Sequence, residues 1–392
     1  MSVKPERRVV VVGGGFAGIG IAKKLDGSCE VTVVEQCAAY HIPIPSVRAI
    51  VDDGWAWKQF VPYDKTLRRG KVVQNEATGM LLSDEKQPQV LLADGSSLPC
   101  EAVVMAIGAK VAFPAKRSPA PVSERVATYR ACKAAIEKAK SCVIIGGGAV
   151  GVEVAGEIAT ATACAVTLVH SGPRLLVGSK GGSDAKRDKL SAAAAKFLTE
   201  LGVTLIFDDK VAKNKLPKGF LDLDGPIPLS GTVATAKGAE IAAELGFWCC
   251  GNRFAARDVF DMLECTSSGK LKVDDHLRVE KQTRVFAAGE VADFPGCGDR
   301  EWSTPAIDAM VATVAANVKA VLAGKAPRKT YKRPFCPTVI SVGPKKGVLH
   351  LPTGHVFAGT SFPGNLKNRL GFFMFKIWPQ IGGRKCPKQS PH

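Results

Sequence analysis

Arg8-Val9-Val10-Val11-Val12-Gly13-Gly14-Gly15-Phe16-Ala17-Gly18 is the stretch from which the rest of the chain can be read. Four consecutive β-branched residues, flanked by charge and glycine, predict a strand buried on both faces. The GxGxxG that follows it has a separate task for each glycine. Gly13 permits a tight turn, Gly15 lets backbone approach a pyrophosphate with no Cβ in the way, and Gly18 permits close helix–strand contact. Gly14, Phe16 and Ala17 complete the turn and lead into a helix over about Gly15 to Leu25. Its start offers unpaired N–H groups and a positive dipole end to phosphates. Glu35 ends the next strand, Val31 to Glu35, 22 residues after Gly13, where a carboxylate accepts ribose hydroxyls.

The same pattern restarts 133 residues later. Cys142 to Ile145 reads as a strand, Gly146-Gly147-Gly148-Ala149-Val150-Gly151 as the turn, Gly151 to about Thr160 as the helix, and Val166 to His170 as the next strand. A repeat of this size means two nucleotide-binding units of similar design. His170 stands where the first unit has Glu35, with Arg174 four residues on. Without a carboxylate to repel a 2′-phosphate, and with a guanidinium to pair with one, the second site is expected to take NADPH, with NADH left open. Val103 to Ile107, ending at Gly108, reads as a further strand of the first unit. Thr204 to Phe207 and Gly246 to Cys250 belong to the second, and Val285 to Ala288 returns to the first sheet. The expected fold is α/β: two Rossmann-like dinucleotide-binding domains, the first discontinuous with the second inserted in it, and a small C-terminal α+β domain. The expected boundaries are 1–112 and 251–325 for the first domain, 113–250 for the second and 326–392 for the third.

Composition narrows the class. The 392 residues are 46% hydrophobic and 23% charged, enough apolar mass for a substantial core. Twelve cysteines without a CxxC give neither a disulfide framework nor a metal site, so a reduced intracellular protein with no metal is expected. The basic then apolar N-terminus superficially resembles a signal peptide, but the glycine turn inside it explains the apolar run better. Position 2 is Ser, which lacks the N-myristoylation pattern, and no stretch approaches the ~20 apolar residues of a membrane-spanning helix. The net charge of +17 is local. Fourteen Lys or Arg and no Asp or Glu lie from Met310 to His392, leaving 39 basic against 36 acidic side chains elsewhere. Such a segment suggests an anionic partner.

Two dinucleotide sites on one chain imply hydride transfer between stacked rings, and here the sequence resembles the pyridine nucleotide:flavin oxidoreductase superfamily. Ala106-Ile107-Gly108 looks like its first crossover turn and Phe247-Trp248-Cys249-Cys250-Gly251 like the second. Val285 to Gly289-Glu290 looks like the segment whose acid binds the flavin ribityl chain, with Glu290 in place of the usual Asp. The resemblance implies FAD in the first site and NADPH or NADH in the second, with the helix starting at Ser303-Thr304-Pro305 pointing toward the flavin. The redox CxxxxC of the disulfide reductases is missing from Cys37 to Pro43, and Cys249-Cys250 sits at a crossover, where it reads as structural.

Shorter matches resemble the ferroptosis suppressor branch of the apoptosis-inducing-factor-like (mitochondrion-associated 2) flavoproteins, relatives of type II NADH dehydrogenases. They are Tyr40-His41 with Val47-Arg48, Gly70-Lys71-Val72-Val73, Phe113-Pro114-Ala115-Lys116, Gly151-Val152-Glu153, and the ending Gln389-Ser390-Pro391. That resemblance implies that Arg48 and Val72 contact FAD, and that the activity is NAD(P)H-dependent reduction of a lipophilic quinone of the ubiquinone or vitamin K type. Glu153 would orient the nicotinamide or relay protons, or be a plain helix-face carboxylate, and Lys116 would serve the same site or simply be solvated. Members of the branch are often myristoylated, so another device has to reach lipid here. Leu370-Gly371-Phe372-Phe373-Met374-Phe375-Lys376-Ile377-Trp378, flanked by Lys367, Arg369, Arg384, Lys385 and Lys388, has the composition for docking on an anionic membrane. The implied location is cytoplasmic and peripheral, at a lipid droplet, the plasma membrane or the mitochondrial outer face. The same aromatics would equally pack on the flavin domain or form a homodimer contact. Two other classes fit the basic tail: a redox-switched protein that binds DNA or a partner, though no nucleic-acid motif is present, and a ferredoxin reductase with a basic docking face.

Overall fold

The computed structural model describes residues 7–82, 87–176, 184–254, 256–295, 303–335, 337–351, 355–358, 362–369, 371, 374–382 and 385–386. The first unit opens with β1 (Arg8–Val12), α1 (Phe16–Leu25), β2 (Glu30–Glu35), α2 (Ser46–Ala49), β3 (Lys71–Gln74) and β4 (Ala102–Met105). After α3 (Val122–Lys138) the second unit runs through β5 (Ser141–Ile145), α4 (Ala149–Ala161), β6 (Ala165–Val169), α5 (Asp184–Glu200), β7 (Thr204–Ile206), β8 (Ile227–Ala234) and β9 (Glu240–Trp248). The chain then returns through β10 (Val285–Ala287) and α6 (Thr304–Leu322). It ends in β11 (Thr338–Val342), β12 (Lys346–His350), β13 (Val356–Phe357), α7 (Phe362–Arg369) and α8 (Met374–Gly382).

Both predicted units form. The first sheet has the order β10-β4-β1-β2-β3 and is parallel throughout, with Val9–Val12 between Val31–Val34 and Ala102–Met105. These valines are at most 3% exposed, which is why the run shows no alternation. The second sheet has the order β7-β6-β5-β9-β8, with β8 antiparallel to β9. That hairpin is longer than Gly246 to Cys250 suggests. Its first half alternates between buried and exposed positions, so no apolar run marks it. The two crossovers lie side by side, Lys110 and Arg253 exchanging backbone hydrogen bonds of 2.7 and 3.0 Å.

α6 corrects the expectation that no segment is long and apolar enough to span a bilayer. Its 19 residues pass by length and composition, though half of its most apolar window is buried against the rest of the protein. Val311 lies against Gly20 of α1, where an added Cβ would come within 3.0 Å, and buried Asn317 receives the N–H groups of Arg328 and Lys329. Both contacts belong to a core helix.

The C-terminal antiparallel sheet β11-β12-β13 seats on α4. A Cβ at Gly156 of α4 would come within 2.6 Å of the Gly343 nitrogen and 3.0 Å of the Val342 carbonyl carbon. Gly156→Ala is therefore expected to push the C-terminal sheet off α4, destabilising by about 1–3 kcal/mol. Gly225→Ala, where nothing lies within 4 Å, is the control. Thermal unfolding of the two variants should show a clear drop in Tm for the first only.

Candidate dinucleotide and electron-transfer site

At the first turn, Gly13 has φ +105°, and its N–H donates to the Val34 oxygen of β2 at 2.8 Å. No side chain caps the start of α1, so its N–H groups stay available to a phosphate. The Gly14 N–H donates to Glu35 Oε2 at 2.6 Å and the Cys37 N–H to Oε1 at 2.9 Å. Arg117, to which no sequence motif points, adds a third donor to Glu35, 2.5 Å from Oε2. Burial alone would raise this carboxyl. The Arg117 charge and the two backbone donors outweigh burial and hold it below the ordinary carboxylate range. A cavity of about 320 Å³ opens beside it, lined by Gly13, Glu35, Asn75, Glu76, Gly108, Lys116 and Arg117 among others. That volume is in the range of small-ligand sites.

The remaining first-site positions fall around this cradle. Gly15 faces only Arg117 Nη1, which would lie 3.7 Å from an added Cβ, and Phe16 and Ala17 begin α1. Gly108, at the crossover, and Gly289, beside Ala17, have φ of +65° and +81°. Glu290 has its carboxyl raised by burial, against the opposing charges of Lys270 and Arg117. Ser303 caps α6 by its backbone alone, and its buried Oγ has no partner. Val72 lies on β3 and packs against the core; the cavity beside Glu35 is lined three residues later, by Asn75 to Ala77.

The second turn repeats the first with one change of chemistry. Gly146 has φ +111° against the backbone of Cys249, and α4 starts after Gly148 without a side-chain cap. Gly151 packs on the Gly146 carbonyl. The Gly147 N–H donates to His170 Nδ1 at 3.1 Å, as Gly14 donates to Glu35. Because Nδ1 accepts, the neutral ring carries its proton on Nε2, which is buried without a partner. Burial lowers the ring's pKa, outweighing the Arg174 main chain and Asp208, which favour the charged form. Arg174 is paired with Asp188 of α5, and Asp208 lies after β7. Neither acid is marked by a motif, since each reaches the site from a distant part of the chain.

Helix α4 carries two buried carboxylates one turn apart. Glu157 is held by Arg48 of α2, Nη2 to Oε1 at 2.7 Å and Nε to Oε2 at 2.5 Å. Arg48 is thus engaged by a carboxylate of the second unit. Glu153 accepts from the Ser341 N–H at 3.0 Å and from Lys367 Nζ of α7, both side chains under 10% exposed. Its Oε1 meets the C-terminal sheet at Ser341. Lys116 reaches the Asp222 carbonyl and, at 3.2 Å, Asp224, beside the cavity at Glu35. Cys250 Sγ donates to the Ile145 oxygen at 3.1 Å, and the Cys249 and Cys250 thiols are both raised, by burial first, so neither is held as a reactive thiolate.

Of the C-terminal aromatic run, Phe372, Phe373 and the Leu370 link lie outside the described residues, as do Arg384, Lys388 and Gln389-Ser390-Pro391. The described part divides between two roles. Ile377, Trp378 and Ile381 of α8 are buried, Trp378 Nε1 donating to the Lys58 oxygen at 2.8 Å, whereas Phe375 is 63% exposed. Phe362, also exposed, lies against Phe357.

Both glycine turns therefore fit a dinucleotide: each has a backbone cradle that a Cβ would fill, an uncapped helix start, and a ribose-side polar group fixed by the turn. Residues 7–317 match the model of the pyridine nucleotide-disulphide oxidoreductase family. The chain is 29% identical over 367 residues to apoptosis-inducing factor homolog A of Dictyostelium discoideum, covering 88% of this chain and 85% of that one. It is 30% identical over 297 residues to human ferroptosis suppressor protein 1, covering 73% and 74%. Among solved structures, the sulfide:quinone oxidoreductase of Aquifex aeolicus superposes with a TM-score of 0.72 at 16% identity, covering 97% of this chain and 93% of that one. The chain belongs to the pyridine nucleotide-disulphide oxidoreductase family, in its ferroptosis suppressor and apoptosis-inducing-factor-like branch, and is an FAD- and NAD(P)H-dependent flavin oxidoreductase.

Proposed function

We propose that the chain is an NAD(P)H:quinone oxidoreductase that passes two electrons to a lipophilic quinone, of the ubiquinone or vitamin K type, at an anionic membrane surface. One observation carries this reading: Lys367, from the acid-free C-terminal segment, is buried on Glu153 of the nicotinamide helix. The segment that would meet lipid is thereby joined to the helix that would hold the electron donor. Bound FAD supplies hydride acceptance from the nicotinamide and two-electron delivery to the acceptor. The two glycine turns bind and orient the nucleotides, and the uncapped start of α6 presents N–H dipoles where negative charge would develop. Cys249 and Cys250 do not take over the electrons, since both thiols are raised at the crossover and neither is held as a thiolate. Exposed Phe375 with Lys376 beside it, and exposed Phe357 against Phe362, are aromatic and basic groups of the kind reversible docking needs. A fold shared with a sulfide:quinone oxidoreductase accommodates such an acceptor.

The direct test is NADPH and NADH oxidation by the purified protein with a short-chain quinone, with and without anionic liposomes carrying a long-chain quinone. Turnover with both is expected. Phe375→Ser should lower liposome turnover while leaving the soluble reaction intact. Flavin that is bleached by NADPH and not reoxidised by any quinone would falsify the proposal, and preference for duplex DNA over liposomes would favour the nucleic-acid alternative.

Breaking the buried pair by Glu153→Gln or Lys367→Met leaves one charge uncompensated, at about 3–5 kcal/mol. Both variants should lose Tm and turnover. The double variant should regain much of the Tm but not the turnover, because the positioning groups are still missing. If the double variant is fully active, the pair is only structural.

His170→Glu places a carboxylate on the Gly147 N–H, as Glu35 sits on Gly14. The kcat/KM for NADPH relative to NADH should then fall at least about tenfold, ~1.4 kcal/mol. An unchanged ratio would show that the 2′ position is read elsewhere.

A further inference from the structure

The cavity beside Gly13 is walled by both nucleotide units. Its lining includes Glu35 and Asn75 of the first unit and Leu221 and Asp222, from the segment between β7 and β8 of the second. This segment is rooted on its own unit by Phe220, whose ring lies 5.0 Å from that of Trp248 at the end of β9. It is tied at its far end by two cations that stand just beyond the crossovers. Lys116 Nζ donates to the Asp222 carbonyl oxygen and pairs with Asp224 at 3.2 Å. Arg253 Nη2 donates to Asp222 Oδ1 at 3.1 Å. None of these contacts belongs to the nicotinamide turn, and Lys116, Asp222 and Arg253 line the same cavity as Glu35.

We propose that residues 220–224 of the second unit form the outer wall of the FAD adenosine site, latched by Lys116 and Arg253, so that the flavin nucleotide is retained by both units rather than by the first alone. The proposal rests on FAD occupying the first turn. Glu35 fixes the ribose end, which leaves the adenine face toward the apolar surfaces of Pro119, Leu221 and Val259. Lys116 and Asp224 are 19% and 47% exposed, and Arg253 and Asp222 are 48% and 73% exposed. Pairs this exposed each change an equilibrium by no more than about fivefold and are screened by salt. The wall is therefore held by a weak, ionic-strength-dependent latch. Lys116 is its central member because it makes two contacts, and its role here is to position the wall.

The test is the rate of FAD release from the full-length holoprotein, followed by free-flavin fluorescence after dilution, in low-salt and high-salt buffer. Lys116→Glu and Asp224→Lys should each release FAD about two- to fivefold faster at low salt, with the difference shrinking at high salt. The double variant, which restores the pair with its charges reversed, should return toward the wild-type rate. Such rescue would not be seen if either substitution merely disturbed folding. Wild-type release rates in the single variants, or no recovery in the double variant, overturn the proposal. Purified wild-type protein that carries no FAD would instead overturn the assignment of the first turn.

Discussion

The fold depends on a steric constraint that occurs twice: at Gly13 and Gly146 there is no room for a side chain. Each glycine lies against the backbone at the end of a neighbouring strand, Ala106 in one case and Cys249 in the other, with φ above +100°. One turn later, Gly18 and Gly151 close on the carbonyls of those same glycines. Strand, turn and helix are thereby brought close enough for an uncapped helix end to face the strand tips. The dinucleotide cradles, and with them the placing of Glu35 and His170, follow from that approach.

Much of this could be read from the order of residues because it is local. Val9 to Val12, the glycines and Glu35 fall within one strand–helix–strand unit, and their spacing carries the chemistry. What escaped is what the fold assembles from afar. Arg117 reaches Glu35 over 82 residues, and Lys367 reaches Glu153 over 214. No periodicity marks an arginine or lysine for such a role, because its surroundings exist only after the sheets have packed. Arg48 and Lys116 show the opposite difficulty. Both were legible as site residues from short matches, yet the first meets Glu157 and the second the segment around Asp222. Short motifs locate a region more securely than they locate a partner.

Helix α4 is the common member of all three parts of the molecule. Its start forms the second cradle, Glu157 binds the first unit through Arg48, and Glu153 binds the C-terminal segment through Lys367. Each carboxylate is buried, so each has its charge balanced by a cation from another part of the chain. The burial of Glu157 still raises its carboxyl despite Arg48, and neighbouring Glu153 adds to that effect. Lys367, the partner of Glu153, acts on Glu157 in the opposite sense, so a change at either cation is felt at Glu157.

The strand Val285–Ala287 sits at the edge of the first sheet, paired with Ala102–Met105, although almost two hundred residues separate them in the chain. Every strand of the second sheet, by contrast, lies between Ser141 and Trp248. During synthesis the inserted unit therefore has its full set of strands before the unit that surrounds it does. The ribosome delivers a finished inner sheet while the outer one still exposes the unpaired edge of Ala102–Met105. Until the returning strand emerges, that open edge is the part of the nascent chain most exposed to mispairing, and its protection is a matter of timing during translation.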